Sequence, residues 1–245
     1  MTVLASCKKP GCTDFSAINY DAEANKDDNS CLYEANLSVR FHLKNGNTPF
    51  SIYDTLSFGN NEFRLEKLKF YVSNVRIDND STDSYVKDVH LVDMDNVTSQ
   101  SFTLVKPEGS YSRLSFGVGL DDIQNNTTPA DYSVDHPLGL NQNTFWAMTP
   151  SSYIFIMLEG KMDTSSTTDF YPMSYHLAHS DLYQILNFDK TIVVDANQTE
   201  VININLNMAV LFNNVDLSED SPHQSKASPL AIQLMSNFCN ALEIE

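Results

Sequence analysis

From Asn36 to Leu43 apolar and polar residues alternate with a period of two, the pattern of a strand buried on one face only. The alternation returns from Phe63 to Ile77, with a change of phase near Lys67 that predicts a bend or bulge. Further strands are read over 86–94, 101–105, 112–118, 153–161, 169–177, 191–195 and 200–210. In the last of these, Val201, Ile202, Ile204, Leu206 and Met208 are interleaved with Asn203, Asn205 and Asn207. Turn-forming Asn, Asp, Ser, Thr and Pro separate the strands. Helical periodicity is confined to 180–185 and 230–242. Many short strands, with neither an internal repeat nor a regular exchange of strand and helix, predict an all-β fold. The expected architecture is a β-sandwich over 34–245.

The stretch 11–33 breaks this pattern. It reads GCTDFSAINYDAEANKDDNSCLY, with little to bury and with carboxylates between two cysteines. A Cys12–Cys31 disulfide would close it, removing unfolded-state entropy worth about 3 kcal/mol. A hard cation could be held by the oxygens of Asp14, Asp21, Asp27 and Asp28, which makes calcium the candidate ion. The other reading is a solvated acidic linker with a single disulfide. The segment resembles CTDPxAxNYxPxAxxDDGSCxY modules of secreted Bacteroidetes proteins, with Phe15, Ala22 and Asn29 replacing two Pro and the Gly of that pattern.

Composition narrows the range of partners. Fifteen Lys and Arg stand against 32 Asp and Glu, a formal charge of −17. Such a surface repels phosphate backbones, so neither nucleic acid nor an anionic membrane surface is expected as a partner. No run approaches the roughly 20 apolar residues of a membrane helix. Residues 1–10 contain Leu4-Ala5-Ser6-Cys7, which resembles the lipobox of bacterial lipoproteins. Lipidation of Cys7 would tether the chain in the periplasm or on the outer-membrane surface, its only membrane contact being the lipid. A disulfide also suits an oxidising compartment, and Cys239, in an apolar stretch, reads as a buried free thiol.

No GxSxG, HExxH, P-loop or GxGxxG occurs, and no nucleophile–base pair is evident, so a binding protein is expected and not an enzyme. The residues with chemistry are the histidines and the single tryptophan. His42 falls on the polar phase of its strand, His176 ends another, and His136 precedes the loop to Trp146. Imidazoles from separate strands suit copper or zinc.

Four stretches in order are similar to the MbnP-like domain family, which includes the methanobactin-associated periplasmic copper proteins. They are LEKLKFYVSNVRI, LSFGVGLDDIQNN, DHPLGLNQNTFWAMTPSSYIFIMLEGKM and FYPMSYHLAH, and the resemblance covers about 35–240. It implies a β-sandwich-like fold, export, copper bound by histidines and a di-haem cytochrome peroxidase-like partner whose relatives oxidise a family tryptophan. Carried onto this chain, the resemblance implies His42 and His176 as copper ligands in one pocket, with His136 or Met148 as a third donor and Trp146 close by; Trp146 is the oxidisable residue if the family's modified residue is the first Trp, and no oxidation is expected here if it is the second. Met148 replaces the family's second Trp, Ser152 its Gly, and Leu177-Ala178 the two Gly after His176. The competing reading is a metal-free surface module that binds glycan or protein through Tyr53, Trp146 and Tyr171.

Overall fold

A computed structural model describes residues 8–58, 61–78, 86–148, 150–163, 170–215 and 228–245. Cys7, the lipidation candidate, lies outside them. The N-terminal segment pairs β1 (Pro10–Gly11) with β2 (Lys26–Asp27) and is closed by the Cys12–Cys31 disulfide. The sandwich strands follow: β3 (Glu34–Asn45), β4 (Thr48–Phe50), β5 (Thr55–Phe58), β6 (Asn61–Asp78), β7 (Lys87–Asp93), β8 (Ser101–Pro107) and β9 (Gly109–Val118). After a long connection carrying α1 (Asp122–Asn125) come β10 (Phe145–Trp146), β11 (Ser152–Tyr153), β12 (Ile156–Asp163), β13 (Tyr171–Leu177), β14 (Gln184–Val194) and β15 (Thr199–Asn207). Two helices, α2 (Met208–Leu211) and α3 (Pro229–Ala241), and β16 (Leu242–Ile244) complete the chain.

Two sheets face each other. One contains β16, β15, β3 and β4 in that order, with β8 also on β3. The other runs β13-β12-β6-β9-β14, with β5 and β7 on β6. The alternation read from the sequence decides which side chains enter the core. On β3, Leu37, Val39, Phe41 and Leu43 are buried while Arg40 and His42 are exposed. Phe41 meets Phe70 of the opposite sheet with ring centroids 5.4 Å apart and Phe116 at 6.2 Å, both edge to face. Phe70 in turn meets Phe238 of α3 at 5.1 Å, so the C-terminal helix closes this side of the core.

The bulge predicted near Lys67 is present. Glu159 pairs with Lys67 and Gly160 with Leu65, so the register passes over Glu66. The predicted helix over 230–242 is also found; Ser228 caps it and Pro229 opens it. The helix predicted over 180–185 is only a 3₁₀ turn, Ser180–Leu182. From Gln184 the chain alternates again: Ile185, Asn187 and Asp189 are exposed and the residues between them partly covered. β14 therefore begins well before 191. The strand read over 200–210 stops at Asn207, whose side chain caps α2 by accepting from Ala209 N.

His90 on β7 is packed into this framework. Its Nε2 donates to Ser99 O at 2.8 Å and its ring lies 5.0 Å from that of Phe102. Burial pushes its pKa down from 6.5 to about 4. Below pH 6.5 the unfolded chain therefore takes up a proton that the folded chain refuses. Stability should fall by about 1.4 kcal/mol per pH unit from this residue as pH drops from 6.5 towards 4. Urea unfolding across that range should show a shallower decline for His90→Gln than for wild type; equal slopes would mean that His90 titrates normally.

Candidate functional site

β6 forks at Tyr71. Its N–H donates to Phe155 O, at the start of β12, and its carbonyl accepts from Gly119 N, at the end of β9. Gly119 is required there. Its φ is +94°, and a Cβ would lie 2.4 Å from the Phe155 ring. Residues 120–148 and 150–154, between these two points, form the loops at this end of the sandwich, and buried polar side chains hold them.

Tyr71 Oη donates to Pro137 O at 2.9 Å and lies 2.6 Å from Thr144 Oγ1; Tyr153 Oη donates to Leu138 O at 3.0 Å. Burial pushes both phenols well above their usual pKa. Ser73 Oγ donates to Gly119 O at 2.7 Å. Asn74, in the left-handed region at φ 52°, donates to Asp121 and Tyr183 and accepts from Gln124. Gln124 also reaches Asp88 Oδ1 at 2.7 Å, and with Asp121 it forms a capping box on α1. Asn125 Oδ1 accepts from Tyr153 N at 2.9 Å and Ser152 Oγ at 3.1 Å, while its amide donates to Ser180 Oγ. Thus Tyr71, Ser73 and Asn74 of FYVSN and Gly119, Asp121 and Asn125 of GLDDIQN fix the loops.

The loops deliver β10 and β11 to the outer face of the seven-stranded sheet. There the body of Trp146 packs on Ile154, Met157 and Ala178. Its ring lies edge to face with His176, centroids 6.4 Å apart. His176 pairs with Met157 across the β12–β13 ladder, so it leaves the sheet on the same outer face. Its Nε2 lies 2.9 Å from Glu159 Oε1, and Lys67 Nζ lies 2.7 Å from Glu159 Oε2. Burial raises the Glu159 pKa, but the bonds from Lys67 and His176 outweigh it and hold the carboxyl below its usual value. An imidazole held by a carboxylate through Nε2 is an arrangement common behind metal-bound histidines.

His42 is not part of this group. Phe41 and Leu177 both face the core, so the next side chain on β3 and the preceding one on β13 leave opposite sides of the sandwich. His42 instead lies 3.1 Å from Asn203 Oδ1 on the five-stranded sheet. The expectation of one pocket shared by His42 and His176 is therefore corrected: the alternation that exposes both also separates them. His136 stacks on Tyr132 at 4.4 Å, and its Nδ1 accepts from Leu138 N, which makes it a loop brace. Burial lowers its pKa. Met148, between β10 and β11 in sequence, is 68% exposed, and Tyr53 and Tyr171 are exposed as well.

In the N-terminal segment the four aspartates do not converge. Asp14 accepts from Ser16 and Tyr33, Asp21 from Glu23 N and Lys9, Asp27 from Asn29 N and Asp28 from Ser30 N. Each carboxylate braces a local turn, and the ring of oxygens expected for calcium does not form. Among the described residues no three His, Cys, Asp or Glu side chains are grouped to hold a metal.

The family model for MbnP matches residues 34–229. The chain belongs to the MbnP family. The solved structure of MbnP from Methylosinus trichosporium is similar in fold, with a TM-score of 0.51 at 14% identity, covering 82% of this chain and 87% of that one. A search of curated proteins finds no match. Against the copper this membership brings into question, the donors gathered here are one imidazole and one carboxylate beside an indole. That set does not fit a closed metal cage; it fits an open site with exchangeable positions.

Glu159, Asn74, Gln124 and Asn125 were not singled out in the sequence. All lie within the four family-like stretches, which is the signal that marks them. Replacing Tyr71 by Phe removes the hydroxyl from Pro137 O and Thr144 Oγ1. Denaturant unfolding should show a loss of about 1–3 kcal/mol. A change below 0.5 kcal/mol would mean that the hydroxyl does not hold the loop.

Proposed function

We propose that this MbnP-family chain is an exported, lipid-anchored binding protein for copper, with His176 as the copper-facing imidazole and Trp146 as its neighbour. The observation that carries this reading is the grouping of Trp146, His176 and Glu159 on one outer face, all within the family-like stretches. Glu159 orients the ring, Trp146 covers one side of it, and the loop network fixes Trp146. Bound copper would supply a redox-active cation beside the indole. The partner consistent with this arrangement is a di-haem peroxidase-like protein acting on Trp146. The Cys12–Cys31 disulfide supports the export part of the reading, and Leu4-Ala5-Ser6-Cys7 supports the anchor.

The chain has a single tryptophan, so its fluorescence reports on this face alone. Copper titration should quench Trp146 with one-to-one stoichiometry. His176→Ala should weaken binding by at least about tenfold, Glu159→Gln should weaken it by about tenfold through loss of ring orientation, and His42→Ala should leave it unchanged. Wild-type quenching in His176→Ala, or none in the wild type, would contradict the reading.

A further inference from the structure

On the five-stranded sheet, side chains from three strands meet at the end of the β3–β15 pair. Lys44 of β3 and Asn207 of β15 are register partners on a parallel ladder, so their side chains leave the sheet on the same face. Glu243 of β16 reaches both. Its Oε2 lies 2.5 Å from Lys44 Nζ, and its Oε1 accepts from Asn207 Nδ2 at 3.3 Å. Asn207 Oδ1 accepts two backbone N–H bonds, from Gly46 at 3.0 Å and from Ala209 at 3.2 Å. Capping α2 accounts for the bond from Ala209 alone. Gly46 supplies the second because it turns the β3–β4 hairpin at a φ of +60°. The carboxamide is thus held at both ends, and two fixed donors polarise its carbonyl in the manner of an oxyanion hole.

We propose that Lys44 and Asn207 become joined, after folding, by an amide bond between their side chains, with Glu243 as the proton carrier. Lys44 Nζ passes a proton to Glu243 Oε2 and attacks Asn207 Cγ as a free amine. The negative charge that develops on Oδ1 falls between the Gly46 and Ala209 N–H groups. Glu243 hands its proton to Nδ2, the Cγ–Nδ2 bond breaks, and the carboxylate takes the proton left on Nζ and gives it to the departing nitrogen. An alkylammonium and a primary amide become a secondary amide and an ammonium ion, so the step balances with neither oxidant nor cofactor. At rest the bond from Lys44 holds the Glu243 carboxyl below its usual pKa, so the pair begins as ammonium and carboxylate. The reaction happens once per chain, so a rarely populated neutral pair is sufficient. The Glu243 side chain is 45% exposed, which gives the released ammonium a way out. β3 and β15 are the first and last long strands of the sandwich, so the bond closes most of the domain into one loop. Neither His176 nor Trp146 takes part, and the proposal is independent of the copper reading.

The test is the intact mass of the purified chain after reduction and denaturation. Wild type should fall short of the mass its sequence gives by one ammonia, and peptide mapping should find the segments holding Lys44 and Asn207 linked. Lys44→Arg, which keeps the ion pair with Glu243, and Glu243→Gln, which keeps a hydrogen bond but loses the base, should each show the full mass of the variant. His42→Ala, an exposed neighbour on the same strand, should keep the deficit. Wild type should also melt higher than Lys44→Arg by roughly 10 °C. Wild type at full mass, or a deficit that survives in Lys44→Arg, would overturn the proposal. A deficit that survives in Glu243→Gln would overturn the role given to Glu243. None of these outcomes bears on copper quenching of Trp146.

Discussion

Every strand of the larger sheet depends on β6. β5 and β7 pair along one of its edges, β12 and β9 follow each other along the other, and β13 and β14 are attached through β12 and β9. The eighteen-residue strand carries these four partners with a bend, because a bulged strand bends. The bulge at Glu66 supplies the bend, and Gly160 lets β12 follow it: a Cβ there would stand 2.3 Å from Arg64 O. At the fork the two departing strands leave backbone groups and loops that the ladders do not satisfy. The hydrogen bonds of Tyr71, Ser73, Asn74, Gln124 and Asn125 satisfy them, and they fix Trp146 at the same time.

The candidate site thus consists of a strand and a loop with different origins. His176 and Glu159 project from neighbouring strands at positions set by the pleat, so their separation is rigid. Trp146 comes from a two-residue strand at the end of a long loop, and its place depends on the polar network behind it. A change at Asn125, remote from copper chemistry in sequence, should therefore reach the indole before it reaches the imidazole.

Much of this fold was legible because the pleat imposes a two-residue period on any half-buried strand. β3, β6 and β15 could be read from it, as could the bulge near Lys67. β14 could not be read over its first half, since Asn187, Asp189 and Lys190 look like a loop unless the partly covered Leu186 and Phe188 are read against them. The site was less legible. The period places His42 and His176 each on an outer face, but a single sequence does not say that the two faces belong to different sheets; pairing does. Likewise the carboxylates of 11–33 read as a cation cage from spacing alone, whereas each is engaged by its own turn. Asn205 shows the reverse. Its polarity on β15 reads as solvent-facing, and the structure buries it at 8% exposure.

The central claim is that copper meets this protein at His176 beside Trp146 and not at a histidine pair. Paramagnetic broadening by one equivalent of Cu(II) tests it most directly, because the effect fades steeply with distance and the two histidines lie on opposite faces. The account predicts loss of NMR signal from Trp146, Leu177 and Ala178, with His42, Asn203 and Asn205 left sharp. Broadening centred on His42, or equal broadening on both faces, would contradict it.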